Sequence, residues 1–288
     1  MRRFLWAGLA AVLLSLGAQA KDAHPAIWTV HGPHGTVYLV SSLHLLPREI
    51  DWHSAEIENA MTSADSFVFE VPTGASERDE ETRFIYHRGL LPAGETLSAK
   101  LDDAGRRDYA RALSLAGIDA VNLDQKQPWL AEVVLTVQAM YRHNYSADHT
   151  PEGDAHAFAA HRGANIRYLD TTRQQMEFLA GANPDGSIGQ FSAVLADFPN
   201  QPVREAQFVE AWASGDTSAS AALVAAGLRD LPDEQRRLLE RNHDWAEQIG
   251  GMLDERHTFF VAVGIAHLVG PQGVPALLRA KGFAVDGP

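Results

Sequence analysis

The chain has 288 residues, no cysteine, and 24 basic against 37 acidic residues, which gives a formal net charge of −13 at pH 7. An acidic surplus repels nucleic-acid phosphates and anionic membrane surfaces, so the composition argues against both as partners. Without cysteine the protein has no disulfide and no lipid-modified thiol, and its stability must come from a hydrophobic core.

The first 20 residues, MRRFLWAGLAAVLLSLGAQA, have the pattern of a secretory signal peptide. A basic start at Arg2 and Arg3 precedes an apolar run, and the final AQA is a small-x-small cleavage site. The run is shorter than the roughly 20 apolar residues of a membrane helix, so a retained anchor is the weaker alternative. Cleavage would leave 22 basic against 37 acidic residues, a net charge of about −15. We therefore predict a periplasmic or secreted protein with no stable membrane anchor.

A strand–helix–strand unit is predicted directly after this segment. Residues 26–44, AIWTVHGPHGTVYLVSSLH, indicate two short strands joined by a Gly-Pro-His-Gly turn. The second strand, Thr36 to about Val40, is apolar enough to be buried on both faces. Helical spacing follows a cap near Asp51, and SFVFEVP then predicts a third strand. This order is typical of a parallel sheet.

The middle of the chain, about residues 75–250, is rich in predicted helices. DDAGRRDYARALSLAG ends at Gly117, the next helix begins at Pro128, and GDAHAFAAHRGA is a further helix. NIRYLD predicts a strand that returns to the sheet, and LPDEQRRLLERNHDWAEQIGGML is the strongest amphipathic stretch. The chain closes with the strand HTFFVAVGIAH and a helix. We predict one α/β domain over residues 21–288, with a mostly parallel central sheet flanked by helices and a helical insertion.

Two similar segments end in histidine, VYLVSSLHLLP (37–47) and FVAVGIAHLVGP (260–271). Ligands of open α/β sheets bind outside the carboxyl ends of the parallel strands. His44, Glu70 and His267 each follow a predicted strand, so the sheet would bring two imidazoles and one carboxylate to one edge. This is a recurrent divalent-metal set that leaves coordination positions open. The alternative for each histidine is a hydrogen-bonded packing or surface residue.

These same residues resemble the TraB/GumN (PrgY) family, which includes the Tiki metalloproteases and is related to the erythromycin-esterase and ChaN-like group. The family pattern is Gly-x-x-His after an early strand, Glu after the next strand and a second Gly-x-x-His near the end. SSLH, FVFE and GIAH match it here. QPW, GDAHAF, YLDTTRQQ, AWASGD and ERNHDW match in order along nearly the whole mature chain.

Two positions depart from the family pattern. Ser41 occupies the position of the family's first glycine, and a sharp turn with positive φ would strain a serine there. The second family glycine is kept as Gly264. A small residue three positions before each histidine would let the backbone turn or approach a ligand closely. The family's usual Glu in a Leu-Glu-Thr motif is Asp170, one methylene shorter.

The resemblance implies metal-dependent peptide hydrolysis, with manganese or cobalt-like ions favoured and zinc as the alternative. His44, Glu70 and His267 would hold the ion, lower the pKa of a bound water and polarise the scissile carbonyl. Arg241 and Asn242 would bind substrate or stabilise an oxyanion, because a guanidinium and an amide donate hydrogen bonds to developing negative charge.

Each of the supporting residues also has a purely structural interpretation or a second role. Arg241 would pair with Glu240 or Asp244 on a solvated helix. Asp154 and Asp170 would orient a ligand histidine, or Asp154 would cap a helix N-terminus.

Two functions from different classes are therefore expected. The first is an exported metal-dependent hydrolase acting on a peptide or small-molecule substrate. The second is a periplasmic protein that sequesters a peptide, haem or another small ligand without turnover. A role in polysaccharide export rests on the name GumN alone.

Overall fold

The computed structural model describes residues 21–181 and 187–288, so the predicted signal peptide, residues 1–20, lies outside the described residues. The strands are β1 (Lys21–Asp22), β2 (Ile27–His31), β3 (Thr36–Ser42), β4 (Leu46–Pro47), β5 (Ile50–Asp51), β6 (Ser66–Phe69), β7 (Tyr145–Ser146), β8 (Asn165–Tyr168), β9 (Thr258–Gly264) and β10 (Ala284–Asp286). The helices are α1 (Ala55–Ser63), α2 (Ala75–Arg88), α3 (Leu97–Lys100), α4 (Asp103–Ala116), α5 (Pro128–Arg142), α6 (Pro151–Arg162), α7 (Thr172–Ala180), α8 (Ser187–Asp197), α9 (Gln201–Ala213), α10 (Thr217–Leu228), α11 (Pro232–Met252) and α12 (Val274–Ala280).

The main sheet has six strands in the order β10-β2-β3-β9-β6-β8. The four strands β3, β9, β6 and β8 run parallel, whereas β2 and β10 add an antiparallel edge. The predicted α/β fold with a mostly parallel central sheet is therefore confirmed. The predicted hairpin is also present, since the Gly32 N–H donates to the Gly35 carbonyl between β2 and β3, 3.0 Å apart.

The sheet is covered on both faces. Consecutive residues of β9, such as Phe260 and Val261, point to opposite faces, and both have no exposed surface. Their core includes apolar residues of α1, α6, α11 and α12, for example Ile57, Ala159 and Trp245. Burial on both faces explains why the central strands are almost continuously apolar in sequence.

The helix-rich middle has a hydrophobic core of its own. Leu113 of α4, Leu135 of α5 and Phe191 of α8 belong to one buried cluster that is separate from the core of the sheet. The range 75–250 is nonetheless not helical throughout, because β8 lies inside it and pairs with β6. Among the described helices, none combines the length and the apolar character needed to cross a bilayer.

Local signals place several helix ends. Gly117 ends α4 in the left-handed region with φ of 67°, and Pro128 is the first residue of α5. The cap predicted near Asp51 is Ser54, whose hydroxyl accepts a hydrogen bond from the Ile57 N–H three residues on.

The N-terminus of α6 is capped in the same way. The Thr150 hydroxyl accepts a hydrogen bond from the Gly153 N–H at 3.1 Å, and the helix starts at Pro151. Asp154 therefore lies inside the first turns, and the alternative that it caps this helix is wrong.

Candidate functional site

Three parallel strands end at one edge of the sheet. Ser42, the last residue of β3, pairs with Gly264, the last residue of β9, and Phe69 of β6 pairs with Ala262. The predicted site residues follow directly after these strand ends. His44, Glu70 and His267 line one cavity of about 550 Å³, together with Gly264 and Arg241.

Gly264 lies at the centre of this group. Its N–H donates to Glu70 Oε1 at 2.7 Å. A methyl group added to Gly264 would lie 3.1 Å from Glu70 Oε1, 3.9 Å from His44 Nε2 and 3.9 Å from the Cδ2 of His267. Its φ of −57° is accessible to any residue. A glycine is therefore needed here because Glu70, His44 and His267 approach its α-carbon closely, and not because the backbone requires a positive φ.

His267 is buried and neutral. Burial in a protein interior lowers its pKa to about 3, because the charged ring would lose its hydration. The Nδ1 atom lies 2.6 Å from Asn242 Oδ1, and the Asn242 Nδ2 group donates to the Gln272 carbonyl at 2.9 Å. The amide oxygen thus faces the ring, so Nδ1–H donates and Nε2 keeps the lone pair. The Trp245 ring packs against the imidazole, with centroids 4.2 Å apart.

His44 has the opposite protonation state. It lies exposed at the mouth of the cavity, and its Nδ1 is 3.6 Å from Oε2 of Glu152. The neighbouring Glu152 carboxylate, with a further contribution from Glu70, raises the pKa of His44 to about 9. Glu152 itself is held near the end of β3, since its N–H donates to Ser42 Oγ at 3.4 Å. Sequence reasoning missed Glu152, because nothing in its local pattern separates it from other acidic residues in a first helical turn.

Arg241 forms a buried ion pair with Asp170. Its Nε contacts Asp170 Oδ2, its Nη2 donates to Gln175 Oε1 at 2.6 Å, and Nη2 lies 3.5 Å from Glu70 Oε2. The guanidinium also lies over the Phe178 ring and the Trp245 ring, 4.8 and 4.6 Å from their centroids. Side-chain exposure is 8% for both Arg241 and Asp170.

The solvated-helix alternative for Arg241 is therefore wrong. Glu240 pairs with Arg236 instead, at 2.8 Å on the exposed side of α11. The shorter Asp170 reaches the guanidinium because its N–H bonds to the Glu70 carbonyl, which continues the β6–β8 pairing past the strand ends. Trp245 Nε1 donates to the second Asp170 oxygen at 3.2 Å.

The other predicted residues lie outside the cavity. Ser41 is fully buried in β3, and its hydroxyl donates to the Ala26 carbonyl at 2.9 Å. It is not among the described non-glycine residues with positive φ, so serine at this family glycine position introduces no backbone strain. Asp154 lies beside His53 and His149, at 3.8 and 3.5 Å. The two predicted ligand histidines are instead contacted by Glu152 and Asn242.

The side chains around Gly264 are of the types that bind a divalent ion, but they do not lie close enough together to hold one in this structure. Neutral His267 keeps a lone pair on Nε2, and Glu70 supplies a buried carboxylate. In residues 21–181 and 187–288, however, no three histidine or carboxylate side chains lie close enough together to hold a metal ion. His44 is turned toward Glu152.

The fold and the cavity define an α/β protein with a His, Glu and Arg site at the carboxyl edge of a parallel sheet. Residues 26–287 match the model of the TraB/PrgY/gumN family, and the chain belongs to this family. No curated protein and no solved structure matches the chain.

Proposed function

We propose that this protein is an exported metal-dependent hydrolase that acts on peptides. The observation that carries the proposal is the approach of His44, Glu70 and His267 to the single small residue Gly264, at one end of a cavity. The pattern of residues 1–20 supports export.

In this proposal His44, Glu70 and His267 would hold the ion, with manganese or cobalt-like ions favoured over zinc. When bound, such an ion would acidify a water molecule and polarise a carbonyl group. His267 is already neutral, as a ligand must be, whereas His44 has to lose its proton to become one. Glu152 and Asn242 orient the two rings through their Nδ1 atoms.

The remaining polar groups have distinct roles. Arg241 lines the cavity beside Glu70, where its guanidinium can donate a hydrogen bond to a substrate carbonyl oxygen. Glu70 is the carboxylate that can accept a proton there. Asn242 uses its oxygen for His267 and its amino group for Gln272, so we assign it to positioning and not to the substrate.

The test compares the mature protein with His44→Ala and His267→Ala after chelation and re-addition of manganese, cobalt or zinc. We expect the wild type to bind roughly one ion per chain and to cleave a peptide library, and both variants to lose ion and activity. His161→Ala, an exposed histidine on α6, is the matched control. A wild type that binds no ion and is indistinguishable from both variants would overturn the proposal.

A second function, binding without turnover, is favoured by one observation. Most of the residues that line the cavity are apolar or glycine. A periplasmic protein that sequesters a peptide, haem or another small ligand would use the same cavity. Saturable ligand binding with no product under any of the three metals would support this alternative.

A further inference from the structure

Both polar and apolar side chains line the cavity. His44, Glu70 and Arg241 line it, and so do Phe208 of α9 and Val224 and Leu228 of α10, which we call its apolar wall. These three wall residues are only half-buried, so they present apolar surface to the open space of the cavity. Apolar surface of this kind gains free energy when a ligand removes it from water.

The charges that border the cavity already have partners. Glu234 lies 3.4 Å from Arg237 and accepts a hydrogen bond from the Gln190 amide, and Arg241 is paired with Asp170. A charged ligand group placed against Phe208, Val224 and Leu228 would lose its hydration without gaining a counter-ion from them. The apolar wall therefore discriminates against charged ligand groups.

The cavity is also large enough to receive a substantial apolar group. An engineered cavity of about 150 Å³ lined by apolar side chains holds benzene, and small-molecule pockets span roughly 300–1,000 Å³. The volume of this cavity, about 550 Å³, is larger than the benzene-binding cavity and lies within the range of small-molecule pockets. Gly227, which lies between Val224 and Leu228 on this wall, adds room, because a β-carbon built on it meets no atom within 4 Å.

We infer that the part of the cavity along this apolar wall is a specificity pocket that receives an uncharged side chain, of leucine or phenylalanine size, next to the scissile bond of the substrate. Phe208, Val224 and Leu228 are the specificity-determining residues. The inference rests on the proposed hydrolase, since it assigns cleavage of the bond to the His44, Glu70 and Arg241 site that lines the same cavity. It adds the class of substrate, a peptide with an apolar residue beside that bond.

The test measures the binding of four capped tetrapeptides, Ac-Ala-Ala-Xaa-Ala-amide with Xaa as Phe, Leu, Asp or Lys, to the chelated full-length mature protein by calorimetry. We expect the Phe and Leu peptides to bind at least about tenfold more tightly than the other two, a difference of about 1.4 kcal/mol. Leu228→Lys should remove this preference and favour the Asp peptide. Ala225→Lys, exposed on the same helix, is the matched control and should keep the wild-type order.

A second variant fills the pocket without adding charge. Gly227→Leu should weaken binding of the Phe peptide, while the melting temperature stays equal or rises, because leucine favours a helix more than glycine does. Gly251→Leu on α11, where an added β-carbon also meets no atom within 4 Å, is its control.

Equal binding of all four peptides, no binding of any, or a Leu228→Lys protein that behaves like Ala225→Lys would overturn the specificity pocket. A failure of the proposed hydrolase alone would give a different result. The apolar preference would then be present in the binding data, but none of the re-added metals would produce cleavage.

Discussion

The Asn242 side-chain oxygen lies 2.6 Å from Nδ1 of His267 and determines which nitrogen of this buried ring keeps its lone pair. Asn242 is itself oriented by its bond to the Gln272 carbonyl. A ligand histidine is usually held in this way by a partner behind it, and loss of the partner weakens metal binding about 10–100-fold.

Asn242→Leu should therefore weaken binding of the proposed ion by about 10–100-fold, because the ring loses the acceptor that selects its tautomer. The measurement is a metal titration of the chelated protein by calorimetry. Asn242→Asp keeps an acceptor oxygen for Nδ1 but loses the amino group that donates to the Gln272 carbonyl, so its affinity should fall less than that of Asn242→Leu. Equal affinities for the Leu variant and the wild type would show that Asn242 has no such role.

Arg241→Met should reduce the free energy of unfolding by about 3–5 kcal/mol, since it leaves the buried Asp170 carboxylate without its cation. Urea denaturation monitored by tryptophan fluorescence measures this change. The double variant with Asp170→Asn should recover part of the loss, because no unpaired charge then remains at that position. Arg236→Met removes the exposed pair with Glu240 on the same helix and should cost at most about 1 kcal/mol.

Gly264→Ala should abolish or strongly reduce activity while the protein remains folded. The added methyl group would lie 3.1 Å from Glu70 Oε1, so the carboxylate must shift from its position in the site. Ser41→Ala makes the matched comparison at the first small residue. It removes one buried hydrogen bond, with an expected cost of about 1 kcal/mol, and the Ala26 carbonyl still accepts from the Ser41 N–H. Comparable losses of activity in both variants would contradict the role assigned to Gly264.

Glu132 on α5 should make stability depend on pH. Burial, with a smaller contribution from the Glu234 charge, raises the pKa of Glu132 from 4.5 to about 7. The folded state therefore binds this proton more tightly than the unfolded state. Its stabilising effect is complete below about pH 4.5 and is lost as the pH rises through about 7.

Glu132→Gln should consequently raise the free energy of unfolding at pH 8, by on the order of 2 kcal/mol, and should have little effect at pH 4. Urea denaturation at pH 4, 6 and 8 follows this difference. Glu56→Gln, at an exposed position of α1, is the control. A stabilisation that is the same at all three pH values would rule out the titration of Glu132 as its cause.

The sequence alone predicted five of the six strands of the main sheet and where the candidate groups lie along the chain, but not β10 or the strand order. Alternating turn signals, apolar runs and helical spacing are local properties, so the strands ending before His44, Glu70 and His267 could be predicted. Gly117 and Pro128 marked helix ends for the same reason, because their backbone preferences need no tertiary partner.

Only the tertiary structure decided which residues support those groups. Arg241 and Asp170 are 71 residues apart, and Glu152 is more than a hundred residues from His44. Such pairs depend on which face each helix buries, and a charged residue on an amphipathic helix has no sequence mark that separates a buried partner from a solvated one. The apolar wall of Phe208, Val224 and Leu228 is of the same kind, since packing alone brings α9 and α10 to the edge of the sheet where the strands end.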